Sequence, residues 1–156
     1  MKLPNPSVAE LWATFVKEHP NFENTPQPNH FYFCDNAHDA NVCAELVVKK
    51  IKQATAPSVW WYAHHNEPMP NVGDLFIVTD WDGVAKAVIE LTNIQQVSFS
   101  KVDAAFAHAE GEGDKSLAYW RKVHKAYYRR EMEATGATFN ENMLVSCERF
   151  KTVFTT

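Results

Sequence analysis

The chain has 156 residues, of which 46% are hydrophobic and 22% charged, and its formal net charge is -4. These values are typical of one folded globular domain and exclude a disordered chain. No apolar run approaches the ~20 residues that a membrane-spanning helix needs, and the start MKLPNPSVAE lacks the apolar segment of a signal peptide. Three widely spaced cysteines without a CxxC pair predict reduced thiols and a cytoplasmic location.

The first half of the chain predicts two helices and little sheet. Apolar residues at helical spacing predict a helix over residues 6–18, and a proline-containing connection follows it. The tripeptide FYF at 31–33 predicts a short buried strand. Asn36 is a suitable N-cap for a second helix over roughly 37–51, and residues 55–62 have β-strand character.

The second half predicts most of the sheet. Turn residues precede the strand LFIVT at 75–79, and a second turn, DWDG, separates it from a strand at 84–92. Another strand at 94–100 and a short helix at 102–108 come next. The segment 142–154 predicts a strand that runs nearly to the end of the chain.

The order of the elements predicts the fold class. About six short strands alternate with three or four helices, without a repeat or an interdomain linker. We therefore expect a single α+β domain over residues 1–156, with a small, strongly bent sheet or barrel.

A basic helix is predicted over about 115–134, with Asp114 as its N-cap. Six of the 15 lysines and arginines lie between residues 115 and 130, with no acid among them. At ~100° per residue, aromatic and apolar side chains share one face of this helix. The opposite face carries a group that we call the basic strip: Lys115, Lys122, Lys125 and Arg129. It is either a solvated face or a surface that follows phosphates.

The segment EGEGD before this helix contains both glycines and acidic residues. Glu110 and Glu112 alternate with Gly111 and Gly113, and glycine permits the positive φ of a sharp turn. Such a glutamate either balances the dipole of the next helix or serves as an acid or base on a rigid turn. The residues alone leave both interpretations open.

Five segments resemble one known family in the same order along the chain. The long segment with the EGEGD…L.YWR..H signature resembles the ASCH domain of the PUA-like superfamily, in its bacterial branch. The resemblance covers residues 31–154 and leaves out mainly the N-terminal helix. The segments are LVVKKIKQAT (46–55), GD (73–74), AVIE (87–90), FSKVDAAFAHAEGEGDKSLAYWRKVH (99–124) and LVSCERF (144–150).

This resemblance implies a small, curved, mixed or antiparallel PUA-like β-barrel decorated by helices, with a cleft for RNA or a nucleoside. The family is chiefly predicted to bind RNA, and some members are linked to amide hydrolysis of N4-acetylcytidine or to cleavage of single-stranded RNA. The positions matching the hydrolase-like members are Lys52 as proton acceptor, Thr55 as nucleophile and Glu112 as proton donor. The chain departs from these members at Lys50, where they have glycine, and at Pro57, where they have arginine.

Three functions follow as hypotheses: an RNA- or nucleoside-binding module, a hydrolase acting in the same cleft, and a protein-interaction domain without chemistry. The EGEGD turn is expected to bring Glu112 within hydrogen-bonding reach of Lys52 or Thr55. For proton transfer, burial beside Lys50 would have to lower the pKa of Lys52. The candidate ligand-binding residues are Lys50, Trp60, Trp61, Glu110, Lys115, Arg121, Lys122, Lys125 and Arg129.

We expect no resident metal or cofactor, since no zinc spacing is present. The pair His64–His65 is adjacent, and neighbouring residues of a strand face opposite sides. We expect a bound divalent cation only if the protein cleaves RNA, and its candidate ligands are Glu90, Glu110 and Glu112. The expected partner is RNA or a modified nucleoside, without a DNA-specific motif or a membrane, and the chain is expected to be a monomer or homodimer.

Overall fold

The computed structural model describes residues 4–156, which form five helices and five strands around one sheet. No helix in this part of the chain has the length and apolar character needed to cross a bilayer. Two short 3-10 helices lie at Pro20–Phe22 and Phe99–Lys101. The helices are α1 (Pro6–Glu18), α2 (Ala37–Val48), α3 (Val59–His64), α4 (Ala104–Glu110) and α5 (Leu117–Glu133). The strands are β1 (His30–Phe31), β2 (Ala54–Thr55), β3 (Leu75–Thr79), β4 (Ala85–Ser98) and β5 (Leu144–Thr155).

The sheet is mixed and has the order β1-β3-β4-β5-β2. β1 runs parallel to β3, and the other neighbours are antiparallel. The long β4–β5 pair forms its centre, with bulges at Val88/Ile89 and Leu91/Asn93 that bend it. Among the described residues the two edge strands do not pair with each other, so the sheet stays open. The α+β class agrees with the prediction, whereas the expected closure into a barrel is not observed.

Three elements differ from their predicted form. The strands expected at 84–92 and 94–100 are one continuous strand. The pairing register with β5 shifts at a bulge between Leu91 and Asn93, and the strand continues through it. The second helix ends at Val48 rather than near residue 51. The β1 strand is shorter than the predicted 31–33 segment. The sheet accordingly has five strands instead of about six.

The segment expected to be extended at 55–62 contains helix α3. Ser58 caps this helix, since its hydroxyl accepts a hydrogen bond from the Trp61 amide at 3.0 Å. Trp60 and Trp61 therefore lie on a helix. His64 is the last helical residue and His65 the C-cap, so the expectation that this pair lies on a strand is wrong.

Helix α5 begins two residues later than predicted. Its N-cap is Ser116, whose hydroxyl accepts from the Tyr119 amide, while Asp114 accepts from the Ser116 amide in the preceding turn. Lys115 has φ 64° and lies outside the helix. The prediction of Asp114 as the N-cap and of Lys115 as a helical residue is therefore wrong.

The two faces of the sheet bury different helices. Ile77 packs in the cluster that contains α1, and its neighbour Val78 packs in the cluster that contains α2, as expected for alternating side chains in a strand. Helices α4 and α5 pack in a third cluster around Phe99, Trp120 and Tyr128. This arrangement leaves a cleft between α2, α5 and the sheet.

Candidate functional site

A cavity of about 810 Å³, which we call the cleft, opens between α2, α5 and the sheet. Its inner end is formed by the segment that follows α2 and by the EGEGD turn. Its walls are rich in aromatic side chains, among them Phe31, Tyr32, Phe33, Trp61, Tyr62, Phe76, Tyr119 and Tyr127.

Lys52 lies at the inner end of the cleft and is 2% exposed. Its Nζ donates to the Ala54 carbonyl oxygen at 2.8 Å and lies 3.1 Å from Glu112 Oε2 and 3.5 Å from Glu110 Oε2. The ammonium also lies 4.9 Å from the centroid of the Phe33 ring. The predicted contact between Glu112 and Lys52 is thus confirmed, and Glu110 is a second carboxylate on the same lysine.

His124 extends this network from α5. Its Nε2 lies 3.2 Å from Glu110 Oε2, and its Nδ1 donates to the Trp120 carbonyl oxygen at 2.9 Å. Because both ring nitrogens face acceptors, the doubly protonated imidazolium suits this position. Burial lowers the pKa of His124, but the charge of Glu110, the hydrogen bond to it and the charge of Glu112 together outweigh burial, so the pKa is raised. Helical spacing places His124 on the same face as the aromatic and apolar side chains of α5, and sequence reasoning missed its contact with Glu110.

The pKa of Lys52 is shifted in the direction opposite to the one that proton transfer would require. Burial lowers its pKa, but the carboxylates of Glu110 and Glu112 outweigh that effect, and the pKa is raised above its usual value. Burial raises the pKa of Glu110, but the charges of Lys52 and His124 together lower it by more, so the net shift is downward. Lys50 is exposed, has φ 61° and does not line the cleft. The resting site therefore holds Lys52 as a cation.

The glycines explain why two alternate glutamates reach one lysine. Gly111 ends α4 in the left-handed conformation with φ 72°, and a Cβ there would lie 2.5 Å from the Ile51 carbonyl oxygen. Beside it, the Gln53 amide donates to the Ala109 carbonyl oxygen at 2.7 Å. The end of α4 thus packs directly on the backbone next to Lys52, at a distance that only glycine permits.

Two cysteines extend the site on its other side. Cys34 Sγ lies 3.7 Å from Cys43 Sγ, and the Cys43 thiol donates to Glu112 Oε1 at 3.2 Å. Both cysteines line the cleft. Sequence reasoning missed this cluster because Glu112 lies 69 residues from Cys43 along the chain.

The cleft is acidic. Eight carboxylate side chains line it, against two permanently cationic side chains, Lys52 and Arg130. Two of the acids, Glu148 and Glu131, have raised pKa values. Glu148 accepts hydrogen bonds from the Tyr62 hydroxyl at 2.8 Å and the Ser146 hydroxyl at 2.7 Å, and burial raises its pKa. Burial likewise raises the pKa of Glu131.

The structure divides the predicted site residues into two groups. Lys52, Thr55, Trp61, Glu110 and Glu112 line the cleft. The residues that do not line it are Lys50, Trp60, Lys115, Arg121, Lys122, Lys125 and Arg129. Glu90, a candidate cation ligand, is also outside the cleft, with Oε2 3.4 Å from Lys151 Nζ.

The basic strip is partly neutralised by its neighbours. Lys125 Nζ lies 2.9 Å from Glu141 Oε1, and Arg129 Nε lies 3.2 Å from Glu133 Oε1. Arg121, on the same helix, donates to the Ser100 carbonyl oxygen at 3.3 Å. These contacts favour the interpretation of the strip as a solvated face.

A double substitution tests this interpretation. We expect Lys122→Glu with Lys125→Glu to change the affinity for single-stranded RNA by less than about threefold and to leave its salt dependence intact, because a solvated face contacts no phosphate. A strip that followed phosphates would lose about one unit of salt-dependence slope for each contact removed. Fluorescence anisotropy at several salt concentrations measures both. Lys17→Glu with Lys151→Glu changes the net charge equally elsewhere and is the control. A loss above tenfold specific to the strip would show that it binds the RNA backbone.

An open mixed sheet, flanking helices and an aromatic cleft with a buried lysine define a small α+β domain with one deep cleft among its described residues. The ASCH domain family model matches residues 29–154, and the chain belongs to this family. That match confirms the resemblance inferred from the sequence, while the bacterial-branch signature remains a prediction.

Solved structures agree with this assignment. The ASCH domain from Lactobacillus crispatus JV V101 is 34% identical, with a TM-score of 0.90 and 98% of each chain covered. A protein from Enterococcus faecalis V583 is 28% identical, with a TM-score of 0.86, over 94% of this chain and 88% of the other. A hypothetical protein of 16% identity and TM-score 0.50 shares the fold alone. No curated protein matches.

Proposed function

We propose that this ASCH domain protein binds a nucleoside, either free or as a base turned out of single-stranded RNA, in the cleft. The observation that carries the proposal is a cavity of about 810 Å³ with aromatic walls and polar groups gathered at its inner end. Small-molecule sites are typically ~300–1,000 Å³ and combine apolar walls with a few polar groups. Unpaired bases are recognised by stacking on aromatic rings and by hydrogen bonds to their edges.

The polar groups favour a nucleobase over a phosphate. The eight carboxylates of the cleft repel a phosphate group, whereas they accept hydrogen bonds from the amino and imino groups of bases. Among the described residues, the buried Oε1 of Glu110 accepts no hydrogen bond, which makes it a suitable acceptor for such a donor. In RNA, the base would enter the cleft while the backbone stays outside.

Calorimetric titration with nucleosides and their monophosphates tests this assignment. We expect cytidine or N4-acetylcytidine to bind, and the corresponding 5′-monophosphate to bind at least about tenfold more weakly, which corresponds to ~1.4 kcal/mol. The reason is repulsion between the phosphate and the acidic lining. If none of the four nucleosides or N4-acetylcytidine binds at millimolar concentration, or if monophosphates bind more tightly, the proposal is wrong.

Amide hydrolysis is a second candidate, because Lys52, Thr55 and Glu112 line the same cleft. In such a reaction the Glu112 carboxylate takes the proton of the Thr55 hydroxyl as its oxygen attacks the amide carbonyl, and it returns that proton to the leaving amine as the C–N bond breaks. Water then hydrolyses the acetyl ester on Thr55 and releases acetate. The raised pKa of Lys52 suits a cation that stabilises negative charge on the carbonyl oxygen better than a proton acceptor.

Product analysis separates binding from catalysis. The protein is incubated with N4-acetylcytidine, and separately with labelled single-stranded RNA with and without magnesium. A hydrolase releases cytidine and acetate, and Glu112→Gln removes turnover while keeping most of the affinity. Glu90→Gln, outside the cleft, is the matched control. Binding without product formation would support the binding function and contradict the hydrolase function.

A further inference from the structure

Three side chains with metal-binding atoms meet on one wall of the cleft. Cys34 precedes α2, Cys43 lies within α2, and Glu112 lies in the EGEGD turn. The two Sγ atoms are 3.7 Å apart, and Cys43 Sγ is 3.2 Å from Glu112 Oε1. All three potential ligand atoms lie within 4.8 Å of one another.

These separations resemble the edges of a zinc tetrahedron. With Zn–S bonds of ~2.3 Å and Zn–O bonds of ~2.0 Å, tetrahedral angles place two sulfurs about 3.8 Å apart and a sulfur and an oxygen about 3.5 Å apart. We propose that Cys34, Cys43 and Glu112 bind a zinc ion, whose fourth position faces the cleft. Two thiolates select zinc over magnesium or calcium, which prefer oxygen ligands. Both thiols release their protons to solvent when the metal binds.

The surroundings hold Glu112 in the orientation that the site needs. Its Oε1 faces Cys43, while its Oε2 lies 3.1 Å from Lys52 Nζ. The carboxylate can therefore bind a metal through one oxygen and keep its ion pair through the other. Such outer contacts orient metal-binding carboxylates and strengthen metal sites.

The loop that carries Cys34 is also fixed. Cys34 has φ 69°, an uncommon conformation for a residue other than glycine. The adjacent Asp35 accepts two hydrogen bonds from Arg130 of α5, at 2.9 and 3.3 Å. This bidentate pair holds the loop against α5 and keeps the Cys34 thiol next to the buried Cys43.

The neighbouring group of Glu110, Glu112 and His124 is a poorer metal site. Lys52 Nζ already lies within 3.5 Å of both carboxylates, and His124 contacts Glu110. A second cation among these groups would face two existing ones. On the cysteine side Lys52 contacts only one of the three ligands, through the other oxygen of Glu112, and two thiolates add negative charge. The zinc site does not depend on nucleoside binding. This zinc site differs from the sequence-based expectation of no metal, because Glu112 lies 69 residues from Cys43 and no short ligand spacing connects them.

Cobalt substitution tests the site directly. The full chain is reduced with a phosphine, freed of metal by a chelator and titrated with Co²⁺. We expect one equivalent to bind, with a thiolate-to-cobalt charge-transfer band and the intense visible bands of a tetrahedral site, and Zn²⁺ to displace it. Cys34→Ser and Cys43→Ser should each remove most of the charge-transfer band and weaken Zn²⁺ binding at least tenfold.

Cys147→Ser is the matched control, since Cys147 is buried in a different cluster. It should leave the spectrum unchanged. In the wild-type chain, Zn²⁺ should slow alkylation of the partly exposed Cys34 by iodoacetamide, as measured by mass spectrometry. This measurement keeps the test valid if a variant fails to fold. Absence of the charge-transfer band, an unchanged band in Cys43→Ser, or alkylation indifferent to Zn²⁺ would overturn the proposal.

Discussion

Replacing Lys52 with methionine is expected to lower the free energy of unfolding by about 3–5 kcal/mol at pH 7, as for other buried ion pairs that lose one partner. Methionine preserves much of the length and apolar stem of lysine, so packing changes little. The ammonium that lies within 3.5 Å of both Glu110 and Glu112 is lost, however. Glu110 is 1% exposed and would retain only His124 as a cationic neighbour. Urea unfolding followed by tryptophan fluorescence measures the loss.

Two further variants identify the cause of this loss. Lys50→Met changes an exposed lysine two residues away and should alter stability by no more than about 0.5 kcal/mol, as is usual at the surface. Combining Lys52→Met with Glu110→Gln should restore at least half of the stability, because the buried carboxylate no longer lacks its counter-charge. Equal stability of Lys52→Met and wild type would show that the ion pair contributes nothing to folding.

Local patterns were enough to predict the long helices and the central strands. The apolar spacing of residues 6–18 and the run LFIVT correspond to α1 and β3 with matching bounds. α3 was missed because its residues, VWWYAH, favour strands by composition, while the Ser58 cap that starts the helix is a single side chain. Here one capping hydrogen bond and the tertiary packing outweigh β propensity.

The sheet shows the limit of reasoning from family resemblance. β1 and β2 each have two residues, so the edges of the sheet are too short to close on each other in the described part of the chain. The lengths of β1 and β2 cannot be predicted from the local composition. They depend on where the neighbouring strands β3 and β5 have free backbone groups to pair with.

The site was predicted in part. Resemblance placed Lys52 and Glu112 together, and the structure confirms their contact. The pKa of Lys52 shifts opposite to the direction that proton transfer would need, since it depends also on Glu110, which α4 brings to the same nitrogen. The contact between Cys34 and Cys43 was not predicted, because it depends on a left-handed backbone at Cys34 that no sequence motif indicates.

Gly111→Ala is expected to be destabilising for two reasons that act together. The left-handed φ of 72° disfavours a side chain, and the added Cβ would lie 2.5 Å from the Ile51 carbonyl oxygen and 3.1 Å from the Lys52 Cα. Both contacts are with backbone, which cannot rotate away. We expect a loss of about 3 kcal/mol or more, since an unfavourable backbone conformation alone costs ~1–3 kcal/mol.

Gly136→Ala separates these contributions. Gly136 has φ 85°, but a Cβ added there would meet no atom within 4 Å, so its loss should reflect backbone conformation alone, at about 1 kcal/mol. Chemical unfolding of both variants gives the difference. Because the clash at Gly111 displaces the backbone of Lys52, nucleoside affinity should also fall in Gly111→Ala and stay unchanged in Gly136→Ala. Equal losses of stability in the two variants would mean that the close approach of α4 to residues 51–52 does not constrain the site.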